Sequence, residues 1–497
     1  MSYVITQNCC KDASCVSVCP VNCIAPVPGQ DAFVTEPMLY VDPRACIDCG
    51  ACADACPVDA IVPADTLTGA QQRYERINAE HFAAQPVAST TDGPLFRAWD
   101  RPHFDWSLPS DFAGLDVAVV GTGPAGLYAA ELLLLHTRST VTLIDRLPTP
   151  GGLIRYGVAP DHPGTKRIGE TFARLYTHPR VRMRLGTEVG DGTDGSLTPD
   201  DLAARHDAVI YAVGASVGRR LGLPGESLPG SLTGPEAVGW YNGHPDVAAD
   251  AVRLDRPRAV VVGTGNVALD VARILTAAPG SLAGTAIAGH ALAGLRDSAL
   301  HEVVLLARRG PDTAAYTAPE LLALRERPDV ELVVDDHDPA VAATIDAAPS
   351  RSHAALLAGV ARRRVDHAAE PRPGRRIVLR FHTTVERYLG EGRVEGVRLA
   401  DGTDVLAGSV VTAIGYHGRG VPGLPFDDAA GTVPHDGGRI AGVPGAYAVG
   451  WWKRGSSGGI GDNRADAAET VRTLLDDAVA GRLPGRSRRA GRFSRTR

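Results

Sequence analysis

The sequence predicts an α/β protein: two units of alternating strand and helix, one inserted in the other, behind a small cysteine-rich α+β head. Three observations carry this expectation. All nine cysteines lie between Cys9 and Cys56. Short β-branched runs separated by helical stretches begin at Asp116 and start again at Arg258. A glycine-rich turn follows the first strand of each series, at Gly121 and at Gly263.

At 497 residues the chain exceeds what one hydrophobic core organises, and a prior of about 150 residues per domain gives roughly three domains. Hydrophobic content of 44% with 22% charged residues is that of a soluble globular protein. No stretch of eighteen apolar residues occurs, so no membrane span is expected. Residues 1–6 lack a basic region leading into an apolar one, which predicts no signal peptide and a cytoplasmic address. Residues 1–66 hold Lys11 and Arg44 against eight acidic residues, so the whole formal charge of −6 falls there and the remainder is neutral. An acidic head on a neutral body suggests an electron carrier joined to its reductant, and no nucleic-acid partner is expected.

The cysteines follow a spacing with chemical meaning. Cys46, Cys49, Cys52 and Cys56-Pro57 form C-x2-C-x2-C-x3-C-P, the bacterial ferredoxin run, in which three close thiolates hold one iron–sulfur cluster and the fourth ligates another. Cys9, Cys15 and Cys19-Pro20 keep the same spacing, with Asp12 at the second position. One cluster is therefore expected on Cys19, Cys46, Cys49 and Cys52. Another is expected on Cys9, Cys15 and Cys56, with Asp12 the candidate for a fourth, oxygen ligand. This head resembles the seven-iron, two-cluster ferredoxins, which implies a [4Fe-4S] cluster beside a [3Fe-4S] or second [4Fe-4S] cluster. Zinc, which takes a single tetrahedral set, does not account for a repeated pattern. Cys10 and Cys23 remain, and are expected to pack as small buried hydrophobes.

The runs Asp116–Val120, Thr140–Ile144, Arg258–Val262 and Glu302–Leu306 read as buried parallel strands. Gly121-Thr122-Gly123-Pro124-Ala125-Gly126 should open a helix after the first of them, with Asp145 ending the next strand to bond a ribose hydroxyl. The second fingerprint, Gly263-Thr264-Gly265-Asn266-Val267-Ala268, has Arg308 and Arg309 in place of an acidic residue. Guanidinium groups suit a 2′-phosphate, so NADPH is expected there rather than NADH. The long separation of Arg308 from Gly263 calls for a helical insertion around 280–300. Two Rossmann-like domains follow.

The expected boundaries are a ferredoxin-like head over 1–66, and a helix and linker over 67–112 with the helix at about 70–81. A first dinucleotide-binding domain, which the resemblance described next makes FAD-binding, follows in two parts, 113–216 and 408–481, with an NADP-binding domain inserted over 217–407. Residues 482–497, with seven arginines and no acid, form a basic flexible tail.

Residues from 115 to about 480 resemble adrenodoxin reductase and related ferredoxin–NADP+ reductases. The resemblance rests on GTGPAG, Pro150-Gly151-Gly152-Leu153-Ile154-Arg155-Tyr156-Gly157-Val158-Ala159-Pro160-Asp161-His162-Pro163, GTGNVALDVARIL, ARRGP and VGWWKRG. It departs at Ser456-Ser457, where the family carries Pro-Thr. It implies that Ala125, Asp145, Leu153 and Val189 border the adenosine side of FAD, and that Trp451, Gly458, Gly459 and Ile460 lie against the flavin. It implies NADP contacts from Arg219, Thr264, Gly265, Asn266, Val267, Arg308, Arg309, Glu320 and Gly458. His162, near the flavin in the family, would hold a proton or order the nicotinamide, and with Trp451 it is the candidate catalytic residue. The implied activity is hydride transfer from NADPH to FAD, then single electrons to the clusters and on to a ferredoxin or haem monooxygenase, by a protein that could act as a monomer. An electron-supplying subunit of a glutamate-synthase-like complex and a redox sensor without turnover are the alternatives.

Overall fold

The structure is a computed structural model that describes residues 2–87, 108–349 and 352–484. Residues 88–107, within the linker expected over 67–112, and most of the tail expected from 482 lie outside the described residues. Two compact units divide the chain. The larger contains the described residues up to 87, Leu153–Ile168 and Ser216–His417; the smaller contains residues 108–152, Gly169–Ala215 and the described residues from Gly418 onward.

In the smaller unit a seven-stranded sheet runs His435–Asp436, Arg439–Ile440, Ala446–Ala448, Ala208–Tyr211, Asp116–Val120, Thr140–Ile144, Val181–Arg184. The strands from Ala446–Ala448 to Val181–Arg184 are parallel. Helices Pro124–His136 and Asp462–Val479 pack together in this unit. Arg180 stands just before the edge strand Val181–Arg184. Its guanidinium donates to the carbonyls of Leu134, Thr137 and Ser139, capping the C-terminus of the helix Pro124–His136.

The larger unit holds a second seven-stranded sheet, ordered Ser231–Thr233, Ser409–Thr412, Arg258–Val262, Glu302–Leu306, Arg376–Arg380, Glu331–Asp335, Ala361–Arg363, with every pair parallel. Alternate strand residues face opposite ways, as the pleat requires. Val261, Val303, Leu305, Ile377 and Leu379 join the helices and Trp240 on one face. On the other face Val260, Val262, Val304, Leu306 and Val378 pack with Val397, Leu399 and Val405. These last come from the antiparallel sheet Val385–Leu389, Gly396–Leu399, Asp404–Leu406. Two helices, Pro279–Leu282 and Gly289–Arg296, fill the insertion expected around 280–300.

Two boundaries differ from expectation. The strand Ser409–Thr412, assigned from sequence to the FAD-binding part that begins at 408, pairs with Ser231–Thr233 and Arg258–Val262 in the second sheet. The segment Leu153–Ile168, expected within 113–216, packs with the larger unit. There Lys166 Nζ donates to Arg155 O (2.7 Å) and Asn242 Oδ1 (2.9 Å), and Asn242 Nδ2 donates to Tyr156 O (3.2 Å). Burial, then the Arg155 charge, lowers the Lys166 pKa to about 8.

The head repeats one plan twice. Tyr3–Ile5 pairs antiparallel with Ile61–Pro63, and Ile24–Ala25 with Tyr40–Val41. The short helices Ser14–Val18 and Ala51–Asp54 each follow a left-handed residue, Ala13 and Gly50, and each carries one buried cysteine, Cys15 and Cys52. The helix expected at 70–81 is found as Arg73–Phe82, and it belongs to the head instead of to a linker. Tyr74, Asn78 and Phe82 recur every four residues and are buried. Asn78 Oδ1 accepts from Val41 N (2.8 Å) and Ile5 N (3.2 Å), while Nδ2 donates to Ile5 O (2.9 Å) and Tyr74 O (2.8 Å). One side chain thus joins a strand from each half. Among the described residues no helix is long and apolar enough to cross a membrane.

Asn78→Ala leaves two buried N–H groups without acceptors, at about 1–3 kcal/mol each. Denaturant unfolding of the variant, followed in the head, is expected to show a midpoint lowered accordingly. An unchanged midpoint would mean that the two halves are held by other contacts.

Candidate nucleotide and iron–sulfur sites

The turn after Asp116–Val120 is shaped by its glycines. Gly121 has φ +103°, and a Cβ there would lie 2.3 Å from Ala212 O; one on Gly126 would lie 2.1 Å from Gly121 O. A Cβ on Gly123 would meet nothing within 4 Å. The first and third glycines therefore permit close packing, while the second leaves open space at the N-terminus of the helix Pro124–His136, where a pyrophosphate fits. Asp145 Oδ2 accepts from Thr122 N (2.8 Å) and Thr122 Oγ1 (2.5 Å), and Oδ1 from Leu147 N (2.9 Å). Oδ1, with a single bond, keeps acceptor capacity for a ribose hydroxyl. Gly151 N donates to Thr122 O (3.0 Å), which brings the Pro150–Gly152 stretch against the same turn.

The other FAD candidates of the smaller unit are distributed around it. Ala125 is buried beneath Gly450, whose Cβ would lie 2.6 Å from that of Ala125. Val189 bridges to Leu197 and packs on the core. Trp451 Nε1 donates to Ser457 O (2.9 Å) and Gly458 O (3.2 Å), which holds the glycine run. Gly459 N donates to Asp462 Oδ2 (2.6 Å), and Asn463 Nδ2 donates to Ile460 O (3.1 Å). The buried core tryptophan is its neighbour Trp452, which donates to Arg419 O (2.9 Å). Leu153 lies in the larger unit.

The second turn repeats the first. Gly263 has φ +128°, and its Cβ would lie 2.3 Å from Ala413 O, whereas a Cβ on Gly265 would meet nothing within 4 Å. Asn266 Oδ1 accepts from Thr317 N (2.8 Å), its Nδ2 donates to Thr317 Oγ1 (3.1 Å), and Thr264 Oγ1 accepts from Ala315 N (3.4 Å). These bonds fix the segment leading into the helix Ala318–Arg325, which carries Glu320. Val267, half-buried, packs on the core of the sheet. Arg219 Nε donates to Tyr416 O (3.2 Å). Arg308 and Arg309 stand exposed just beyond the strand Glu302–Leu306, and neither is paired with a carboxylate among the described residues. Two unneutralised guanidinium groups at that point fit a 2′-phosphate.

His162 enters a buried network that sequence reading missed. Its Nε2 lies 2.9 Å from Arg273 Nη1 and 4.0 Å from Glu320 Oε2. Arg273 also pairs with Asp161 (3.2 Å) and with Asp270. Burial, then the Arg273 charge, pulls the His162 pKa below its ordinary value, so a neutral imidazole accepts from the guanidinium. Burial, then Asp270, pushes Glu320 up to about 8. His162, Asp270 and Glu320 offer ligand atoms within 4.8 Å of one another, and the cation held among them is Arg273. The signal in the sequence was Asp270 and Arg273, one turn apart on the otherwise apolar GTGNVALDVARIL helix.

In the head the thiols fall into two groups. Burial raises the pKa of Cys9, Cys15 and Cys56; the charges of Cys56 and Asp12 add to it at Cys9, which reaches about 11, those of Cys9, Asp12 and Cys56 at Cys15, and that of Asp12 at Cys56. Cys52 faces Cys19, Cys46 and Cys49, and burial with their charges pushes it up to about 12. None of the nine is in a disulfide. Crowded, partly buried thiols of this kind are stabilised as thiolates by bound iron. Asp12 already accepts from Ser14 N (3.2 Å) and from Ser14 Oγ. The two remaining cysteines are not merely apolar packing. Cys23 Sγ lies 3.5 Å from Cys19 Sγ, and its hydrogen bonds to Cys19 and Cys46 bring both of those down to about 6. Cys10 stands beside Cys9, Asp12 and Cys56.

Residues 115–311 match the pyridine nucleotide-disulphide oxidoreductase family, and residues 39–62 match the 4Fe-4S binding domain. A probable ferredoxin/ferredoxin–NADP reductase of Mycobacterium tuberculosis is 45% identical over 97% of this chain and 85% of its own length. The chain belongs to the ferredoxin–NADP reductase family. The reductase is also 44% identical to the NADPH-ferredoxin reductase FprA of M. tuberculosis, over 72% of this chain and 83% of that one. A solved structure of FprA in complex with NADPH aligns with a TM-score of 0.66 at 39% identity, covering 75% of this chain and 87% of that chain.

Two outcomes follow for the reductase. Replacing Arg308 and Arg309 together by Ala removes charge-assisted bonds worth about 1.5–3 kcal/mol each, so KM for NADPH is expected to rise by roughly 100-fold or more with little change for NADH. An equal rise for both cofactors would remove the arginines from 2′-phosphate recognition. Glu320 keeps its proton at neutral pH because its pKa is raised, and it becomes a carboxylate as pH passes about 8. Calorimetry is expected to show NADP+, with its cationic nicotinamide, binding more tightly as pH rises from about 7 to about 9, and NADPH not. Glu320→Gln should abolish that difference; a wild-type affinity flat in pH would place the titration elsewhere.

Proposed function

We propose that this reductase draws a hydride from NADPH and releases the two electrons singly through its own head, to an external ferredoxin or haem monooxygenase in the cytoplasm, acting as a monomer. The observation that carries the reading is the presence, in one chain, of two open glycine turns and two facing sets of thiols. Bound FAD would supply the conversion of two-electron to one-electron chemistry, and the clusters the carriage of single electrons.

The protein's part is binding and orientation. Gly121, Gly123 and Gly126 would admit the FAD pyrophosphate, and Asp145 would hold its ribose. Arg308 and Arg309 would select the 2′-phosphate of NADPH over NADH. Gly263, Thr264, Gly265, Asn266 and Val267 would cradle its pyrophosphate, with Arg219 beside it. His162, neutral and accepting from Arg273, would order the nicotinamide instead of delivering a proton, and Glu320 would adjust the charge next to it. Trp451 would act by holding Gly458, Gly459 and Ile460 in place for the flavin. An anaerobic visible titration with NADPH tests the whole: flavin and cluster bands should both bleach. Flavin bleaching with clusters left oxidised would favour a sensor.

Cys9, Cys15 and Cys56 would hold three irons, and Asp12, a harder and weaker ligand than a thiolate, would leave the fourth corner open. Iron analysis should then give about seven irons per chain, with a three-iron paramagnetic resonance signal in the oxidised protein. Asp12→Cys should convert that site to four irons and remove the signal. Eight irons in wild type, or a signal that survives Asp12→Cys, would mean that Asp12 is not at the open corner.

A further inference from the structure

The two thiol sets of the head have different surroundings. Asn8 precedes Cys9 in the chain, and Val58 and Asp59 follow Cys56. The same three residues meet the segment just after His162. A Cβ on Gly164 would lie 2.8 Å from Val58 O and 3.4 Å from Asn8 Nδ2. Arg167 forms an ion pair with Asp59. The Cys9, Cys15 and Cys56 site is thus the one whose flanking residues rest against the His162 segment.

The other set opens to solvent. Cys49 is exposed, Ile47 between Cys46 and Asp48 is 57% exposed, and Val18 beside Cys19 is 36% exposed. Asp48 and Asp54 are exposed around them. Within residues 2–66 the two basic side chains are engaged locally: Lys11 donates to Glu36 O (2.9 Å), and Arg44 pairs with Asp42 (2.8 Å). The patch is therefore apolar at its centre and acidic around it. Single-electron transfer falls steeply with distance, so an outside carrier exchanges electrons best with the site whose ligand reaches the surface.

Building on the reading of function above, we propose that electrons enter the head at the Cys9, Cys15 and Cys56 site. They leave from the Cys19, Cys46, Cys49 and Cys52 site across Val18, Ile47 and Cys49, onto a one-electron carrier whose contact face is basic around an apolar centre. Charge complementarity selects that partner, because an acidic rim repels acidic proteins and steers basic ones. The balance closes with one NADPH and two oxidised carriers giving NADP+, one proton released to solvent, and two carriers each reduced by one electron.

Cytochrome c, a basic one-electron haem protein, is the probe, used with the full chain and its cofactors. The double variant Ile47→Lys, Asp54→Lys is expected to weaken both Kd and KM for cytochrome c roughly tenfold at low salt, with the difference shrinking as salt screens it. NADPH-driven reduction of its clusters, followed by rapid-freeze paramagnetic resonance without cytochrome c, should keep the wild-type rate. Arg167→Asp should do the reverse, slowing cluster reduction several-fold with Kd for cytochrome c unchanged, and Asp59→Arg in the same chain should restore the rate. Unchanged cytochrome c affinity in the double variant, or slowed cluster reduction there, overturns the exit. Wild-type cluster reduction in Arg167→Asp overturns the entry. Clusters of the unmodified protein that stay oxidised under NADPH sink the reading of function, and do so before any variant is made.

Discussion

At the end of the first long strand of each sheet, a glycine backbone approaches the carbonyl of a neighbouring segment so closely that no Cβ would fit. Gly121 meets Ala212 O and Gly263 meets Ala413 O, each at 2.3 Å from the missing Cβ. This contact forces the chain to turn at once into the helix, and the helix N-terminus then points its unpaired N–H groups at the open space above Gly123 or Gly265. Asp145, the Pro150–Gly152 stretch, Arg308 and Arg309 are all positioned by the strand ends around these two turns.

The electrostatics around His162 come from one buried cation. Arg273 is held by Asp161 and Asp270 and presents a hydrogen to His162. Burial, then the Arg273 charge, keeps the imidazole neutral, and burial, then Asp270, keeps the nearby Glu320 protonated at neutral pH against the pull of Arg273. In a low-dielectric site a change in any one of these groups is felt by the others. The segment bearing His162 is also the one met by Asn8, Val58 and Asp59, so the nucleotide end of the larger unit and one end of the head share a single stretch of chain.

In the head the governing constraint is burial, to which the charges of neighbouring thiols add. Thiols that crowd one another resist ionisation, and Cys23 relieves it at Cys19 and Cys46 by hydrogen bonding. A core this small is completed by the helix Arg73–Phe82. Asn78 supplies the polar clip between its halves, and Arg73 joins the helix to Glu326 in the body of the larger unit.

The sequence by itself determined the class of fold, the four strands that flank the glycine turns, the two-set grouping of the cysteines and the basic pair at the end of the strand Glu302–Leu306. All of these are local: a β-branched run, a spacing of thiols, or a basic residue at a strand end means much the same wherever the chain goes next. Tertiary structure alone decided that Ser409–Thr412 joins the second sheet, that Leu153–Ile168 packs with the larger unit, and that the helix after the cysteines closes the head. It also decided that Arg258, Glu302 and Arg376, each the first residue of an apolar strand, meet as a buried ion triad through strand register, and that Arg273 reaches His162 from 111 residues away. Such pairings depend on which surfaces come together in space. No periodicity along the chain encodes them, because burial and a partner's charge are properties of the packed neighbourhood and not of the residue.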